Sequence, residues 1–269
     1  MNVGVDLLKS GLQKYIRRGM MESALLCASK MILYSTKKQR LWNSLLDRLM
    51  IICGEDIGIG NITVVYNVLL KLFEMKESNN QLPYEKKYEF IKPIICTLCD
   101  CDKTREYAHI YYAVYEGDKY KPVLNLDECI DAKNIGIIYW FKYFNDDKNQ
   151  IILNIMNKEN NEHFSKLSLL CLNIAKTINE NVWFYGLILL TYCYNLKFTT
   201  DPIDFSTNSI EYKGDETIEF DDFVIDKHTT LGRQLGKDLK YFVHVGSIVY
   251  PESKYTTEEY KKIHDNMYG

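Results

Sequence analysis

Neither sign of charge dominates this chain. Its 33 Lys and Arg stand against 36 Asp and Glu, a formal net charge of −3. That balance excludes a global drive towards nucleic acid, so any such surface has to be a local basic patch. No apolar run reaches the ~20 residues that a membrane span needs. The longest, residues 182–196, is shorter and contains Asn195 together with Tyr and Cys, which reads as a buried core helix and gives the expectation of no membrane partner. The N-terminal MNVGVDLLKS lacks the basic segment, apolar stretch and cleavage site of a secretory signal, which points to a reducing, cytoplasmic setting. There is no internal repeat and no low-complexity tract. There is also no phosphate-binding loop. Gly232-Arg-Gln-Leu-Gly236-Lys237-Asp238 has one residue too few between its glycines and a carboxylate where the magnesium-binding hydroxyl belongs.

What remains is a chain of 269 residues, 46% hydrophobic and 26% charged, ordinary for a globular protein and long enough for a substantial core. The abundance of Asn, Lys, Ile and 21 Tyr suits an AT-rich coding genome, such as that of a low-GC bacterium, a phage or a large DNA virus. The eight cysteines mostly fall inside apolar helical runs, where a free thiol acts as a small hydrophobe. Cys96-x-x-Cys99-x-Cys101, with His109 downstream, could offer zinc a soft ligand set. It is one compact cluster rather than two separated pairs, and two of its thiols fit a helix's inward face. No cofactor or metal is expected.

Helical periodicity recurs along the chain, at 4–17, 21–34, 39–53, 62–76, 84–98 and 104–115. Short connections favour antiparallel neighbours in an all-α bundle. Residues 1–116 read as one bundle and 117–133 as a linker or hinge. Residues 134–269 read as a second helical region, packed on the first, with runs at 134–145, 148–158, 164–179 and 181–195. Within it, residues 205–226 read as a small β-hairpin or irregular insert, the hairpin turning at Lys213-Gly214-Asp215. A helix at 229–245 and a polar helix after Pro251 complete the expected series.

Three constellations carry the candidate chemistry. Glu55 and Asp56 follow an apolar helix within Gly54-Glu55-Asp56-Ile57-Gly58. Adjacent helical residues point about 100° apart and do not share one reacting atom, so this pair is read as tying down a turn. Gly58 or Gly60 supplies the reversal, and Asn61 caps the next helix. The cations Lys14, Arg17 and Arg18 lie at a helix end, available to phosphate or to the helix dipole. In Asp226-Lys-His228-Thr229-Thr230-x-Gly232-Arg233-x-x-Gly236-Lys237, Thr229 or Thr230 is the expected cap. Arg233 and Lys237 are expected on one face, and the two glycines where another helix approaches. His228, Arg233 and Lys237 form a candidate anion site at the helix start, while Asp226 with His228 is a candidate acid–base pair.

The order Lys14-Tyr-Ile-Arg17-Arg18-Gly19, Glu22-Ser-Ala24-Leu25, Arg48…Gly54-Glu55-Asp56-Ile57-Gly58, Pro83…Lys103-Thr104 resembles the C-terminal helical region of the RarA (MgsA) and Werner-helicase-interacting ATPase family, relatives of clamp loaders. The match spans roughly residues 10–115. Arg105 stands where the family has Asn, and the ATPase with its Walker motifs has no counterpart. The resemblance implies a collar-like, all-α module that holds such ATPases together at replication forks. The expected function is therefore a non-enzymatic oligomerisation or accessory protein in DNA replication, recombination or repair, associated with the replicating nucleoid. Its expected partners are further copies of itself or a separate ATPase or replication protein, together with DNA. Two alternatives stay open: a nucleic-acid-processing enzyme using Asp226 and His228, and a structural component of a larger assembly such as a virion.

Overall fold

A computed structural model describes residues 3–78, 81–117, 122–143, 148–179 and 182–250. Among these the regular structure is helical, with no strand, so the chain is all-α. The N-terminal part comprises α1 (Val5–Arg17), α2 (Met21–Ser35), α3 (Arg40–Ile52), α4 (Ile62–Glu77) and α5 (Tyr84–Asp100). Helix α2 packs against α1, α3 and α5, and α3 packs against α4. Leu8, Leu12, Leu25, Ile32, Leu45, Leu49, Val65 and Ile91, spaced at helical intervals, are all completely buried between them. Burying this apolar surface is the main favourable term for a bundle of this kind.

Helices α6 (Glu106–Gly117), α7 (Leu126–Asp131), α8 (Ile137–Tyr143), α9 (Lys148–Glu159), α10 (Glu162–Thr177) and α11 (Val182–Cys193) follow. The segment read as a linker thus contains α7, which Asn125 starts through a full capping box with Glu128. Apolar α11 packs on α6, α8, α9 and α10 and also touches the bend after α3. The hydrophobic core is one cluster running from Leu8 through Phe184 to Val224. By length and composition the stretch Arg40–Glu77 passes for a membrane span, but it is broken at Gly58 and 72% of its apolar window is buried inside the fold.

Residues 199–221 form no β-ladder, so the insert is irregular and the hairpin reading is corrected. The helices take its backbone groups instead. Ser206 N–H donates to Thr97 Oγ1 (2.8 Å), Tyr84 Oη donates to the Tyr212 carbonyl (2.6 Å) and Lys30 Nζ to that of Gly214 (3.2 Å). The chain reverses at Gly214 and returns along α1, where Tyr15 Oη accepts from Asp221 N–H (3.2 Å). A strand pair would have to satisfy its own groups; here helix side chains satisfy them, so this segment is a strap.

The expected helix at 229–245 is also corrected. It breaks into α12 (Thr230–Gln234), α13 (Leu239–Tyr241) and a π-helical turn, Phe242–Gly246. The polar helix expected after Pro251 lies outside the described residues.

Candidate functional site

The bend after α3 is a π-helical turn, Cys53–Ile57, followed by a 3-10 turn, Gly58–Asn61. Gly58 has φ +52° and ψ −135°, a conformation that residues with a Cβ avoid, and a Cβ there would lie 3.1 Å from the Thr104 carbonyl. Asn61 then caps α4 by accepting from Val64 N–H at 3.1 Å. Gly54 faces the Cβ of Trp183 on α11. Thr104 N–H donates to the carbonyls of Asp56 (3.1 Å) and Ile57 (3.3 Å). The Lys103 ammonium closes the end of α5 by donating to the carbonyls of Cys99 and Cys101.

The two acids of the turn do different work. Asp56 is completely buried, accepting from Arg17 Nε at 2.6 Å and from Gln13 Nε2 at 2.8 Å. Burial pushes its carboxyl above the ordinary range, against the pull of Arg17. Glu55 lines a cavity, yet it converges with Asp56 on the same two side chains, Gln13 and Arg17, so the adjacent acids share a donor that their spacing on a regular helix did not lead one to expect. It accepts from Gln13 Nε2 (2.9 Å) and lies 3.5 Å from Arg17 Nη2 and 3.6 Å from Arg105 Nη2. Breaking a buried pair such as Arg17–Asp56 strands a charge, which costs more than the pair itself contributes.

Arg17 also reaches the far end of the chain, donating through Nη1 to the Gly246 carbonyl at 2.9 Å. One guanidinium therefore joins two π-helical turns nearly two hundred residues apart. One turn of α1 earlier, Lys14 Nζ lies 2.6 Å from Asp226 Oδ2 and donates to the Val224 carbonyl at 2.9 Å. Asp226 is completely buried; its Oδ1 accepts from His228 N–H (2.9 Å), and His228 Nδ1 stands 3.3 Å from Oδ2. Burial raises the Asp226 carboxyl, but the His228 bonds and the Lys14 charge outweigh it and bring it down to about 2. Burial brings Lys14 down to about 8 despite Asp226.

These groups surround a cavity of about 300 Å³. Gln13, Lys14, Arg17 and Lys9 of α1 form one side, with Arg48 of α3 and Glu55. Asp226, His228 and Phe242 close it from the C-terminal segment, with Trp183 and Asp6 completing the wall. The acid turn and the Asp-His motif, separate in sequence, face one space.

No family model matches the chain, and no curated protein or solved structure is significantly similar to it.

The remaining candidates lie apart from this space. Arg18 stacks on Phe223, 3.9 Å from its ring centroid, and donates to the Val245 carbonyl. Thr229 is the cap of α12, accepting from Gly232 N–H at 3.0 Å. Arg233 folds back on Lys227 and Thr230, while Lys237 pairs with Asp222 at 2.5 Å. Because α12 ends at Gln234, Arg233 and Lys237 do not share a helix face, and neither lines the cavity. Gly232 makes room for the Asp226 carbonyl of its own loop rather than for another helix. Cys96, Cys99 and Cys101 are buried with free thiols, their pKa values pushed up by burial. Among the described residues no three His, Cys, Asp or Glu side chains are grouped to hold a metal.

Sequence reasoning did not single out Gln13 or Gly246, and it named Arg48 only within the family resemblance. Gln13 and Arg17 are four apart on the polar face of α1, with Asp6, Lys9 and Ser10 beside them, and this face turns towards the cavity. A polar face at helical spacing looks the same whether it meets solvent or partners inside the fold, so the sequence carries no signal that separates the two.

Proposed function

We propose that this chain is a non-enzymatic, helical assembly module of DNA replication, recombination or repair, a collar-like unit that binds copies of itself or a separate ATPase subunit and acts on DNA. One observation carries the reading. Three of the stretches on which the RarA resemblance rests, Lys14–Gly19, Gly54–Gly58 and Lys103–Thr104, are distant in sequence and meet at one place, through the Arg17–Asp56 pair and the Thr104 bonds to the bend. Residues held in one packed unit explain why they occur together, and Asp56, enclosed by Arg17 and Gln13, serves as a pin.

Lys14 and Arg17 are 3% and 1% exposed. Their charges are used inside the fold, so contact with DNA on this reading comes from other side chains. Light scattering combined with DNA titration tests the proposal. A mass that is a multiple of 31.6 kDa, or saturable salt-dependent DNA binding, is the expected result. A strict monomer that binds neither DNA nor an ATPase subunit overturns it.

A second reading, an enzyme using His228 with Asp226, is favoured by one observation: both line the cavity. Arg233, expected with His228 in the anion site, does not. His228→Gln separates the two, because it abolishes turnover of a nucleic-acid substrate under the second reading and leaves assembly intact under the first.

A further inference from the structure

Charge is nearly even over the whole chain but not along its length. Between Glu22 and Asp47 there is no Asp or Glu, while Lys30, Lys37, Lys38 and Arg40 all fall there. Lys30 is engaged by the strap, its ammonium donating to the Gly214 carbonyl. The other three stand at the junction of α2 and α3, and all three are exposed. Among the described residues no carboxylate lies within 4 Å of any of them. Neighbouring acids are engaged elsewhere: Asp47 pairs with Lys76 at 2.5 Å and Glu89 with Lys86 at 2.8 Å.

The junction is held from beneath. Lys87 of α5, itself buried, donates to Ser35 Oγ at 3.0 Å and to Gln39 Oε1 at 3.3 Å, with its ammonium 5.2 Å from the Trp42 ring centroid. One buried ammonium thus ties the end of α2 to the start of α3 through neutral partners. The dipoles of the two helix ends oppose one another here, so the side chains carry the local field. What the patch lacks narrows the partner. Among the described residues, none of the exposed large apolar side chains belongs to α2, to the junction or to α5. A segment lying on a membrane would carry apolar anchors, and a protein interface would be richer in aromatics and poorer in Lys. Exposed Lys and Arg without either suit the repeated phosphates of a nucleic-acid backbone.

We infer that the α2–α3 junction contacts a nucleic-acid phosphate backbone through Lys37, Lys38 and Arg40. The inference rests on the proposed function for DNA as that nucleic acid, and deepens it by naming side chains that meet DNA in place of the buried Lys14 and Arg17. Contacts to phosphate alone carry no base sequence, so binding through this surface is insensitive to sequence.

Fluorescence anisotropy of the full chain with a short labelled DNA duplex, over a series of salt concentrations, tests it. Neutralising three phosphates gives log affinity against log salt a slope of about −3. The combined variant Lys37→Gln, Lys38→Gln, Arg40→Gln is expected to weaken binding roughly tenfold or more at low salt and to flatten that slope. Its three sites are exposed, so its thermal midpoint is expected to match the parent's. A control, Lys71→Gln, Lys176→Gln, Lys240→Gln, removes the same charge from exposed positions elsewhere and is expected to leave affinity and slope unchanged. Phosphatidylserine vesicles and poly-glutamate serve as competitors, and either competing as well as unlabelled DNA overturns the inference in favour of a membrane or an acidic protein. A parent that does not bind DNA overturns it too, as does a control weakened as much as the junction variant. Light scattering separates this failure from that of the assembly reading. An oligomer that ignores DNA removes the junction's role alone, whereas a monomer that binds DNA through the junction upholds it and removes self-assembly.

Discussion

Lys14 and Asp226 form a buried ion pair of 2.6 Å at the wall of the cavity, between the first helix and the last segments of the described chain. It fixes the C-terminal segment to the bundle and holds one wall of the cavity. The pair makes stability depend on acid. The folded carboxyl sits at about 2, below its ordinary 3.8. A depressed carboxyl stabilises the fold above the unfolded value, and that contribution is lost as pH falls through the folded one. We predict a loss on the order of 1–2 kcal/mol between about pH 4 and pH 2, allowing for solvent at the cavity mouth. Urea unfolding at a series of pH values checks it, and Asp226→Asn is expected to flatten that part of the profile.

Gly58→Ala is predicted to destabilise the fold by roughly 1–3 kcal/mol, because the bend needs a positive φ beside the Thr104 carbonyl. Thermal unfolding reads this as a fall of several degrees. An unchanged midpoint means that the bend relaxes freely and is no fixed element.

Gly232 and Gly236 are predicted to separate sharply. A Cβ on Gly232 would lie 1.8 Å from the Asp226 carbonyl, forcing the loop apart, whereas Gly236 at φ +70° has open space around it. Gly236→Ala therefore costs about 1–2 kcal/mol of backbone strain alone. Gly232→Ala costs more and also releases Asp226 from Lys14, which removes the acid dependence described above. Comparing the pH profiles of the two variants tests this.

Much of the helical architecture was legible because most of the longer helices repeat apolar residues at the helical period, so that Leu8, Leu12 and Ile91 declare their burial directly, while α11, apolar on every side, declares Leu187 by its continuous apolar run. The strap was not legible, since Ile210, Tyr212 and Ile218 pack on the bundle as partly buried residues and alternate much as a strand would. What decides against a strand is that Tyr84, Thr97 and Lys30 take up the backbone groups, a tertiary fact with no local trace. The broken helix after Thr230 was missed for a related reason. Its periodicity continues through Gly236, but the chain at that point adopts positive φ.

The candidate site was legible in pieces. Glu55, Asp56, Lys14, Arg17, Asp226 and His228 all stood out by residue type, and Asn61 and Thr229 by capping preference. The convergence of Glu55, Lys14, Arg17, Asp226 and His228 on one cavity depends on Lys14 and Arg17 being one turn apart on α1 and each reaching a different distant segment. No spacing rule encodes that. Arg48 stood out only within the family resemblance, because beside Asp47 on a helix that also carries Arg40 it looks like part of a solvated edge.

The account stands most directly on the Arg17–Asp56 pair as an internal pin, and a double-mutant cycle by chemical denaturation measures it. Arg17→Met and Asp56→Asn are each expected to cost roughly 3–5 kcal/mol, because each strands a buried partner. The double variant is expected to be more stable than the sum of the two losses, with a coupling of about 1–3 kcal/mol. Additive losses, or an Asp56→Asn chain as stable as the parent, would contradict the claim that this acid holds the bend in place.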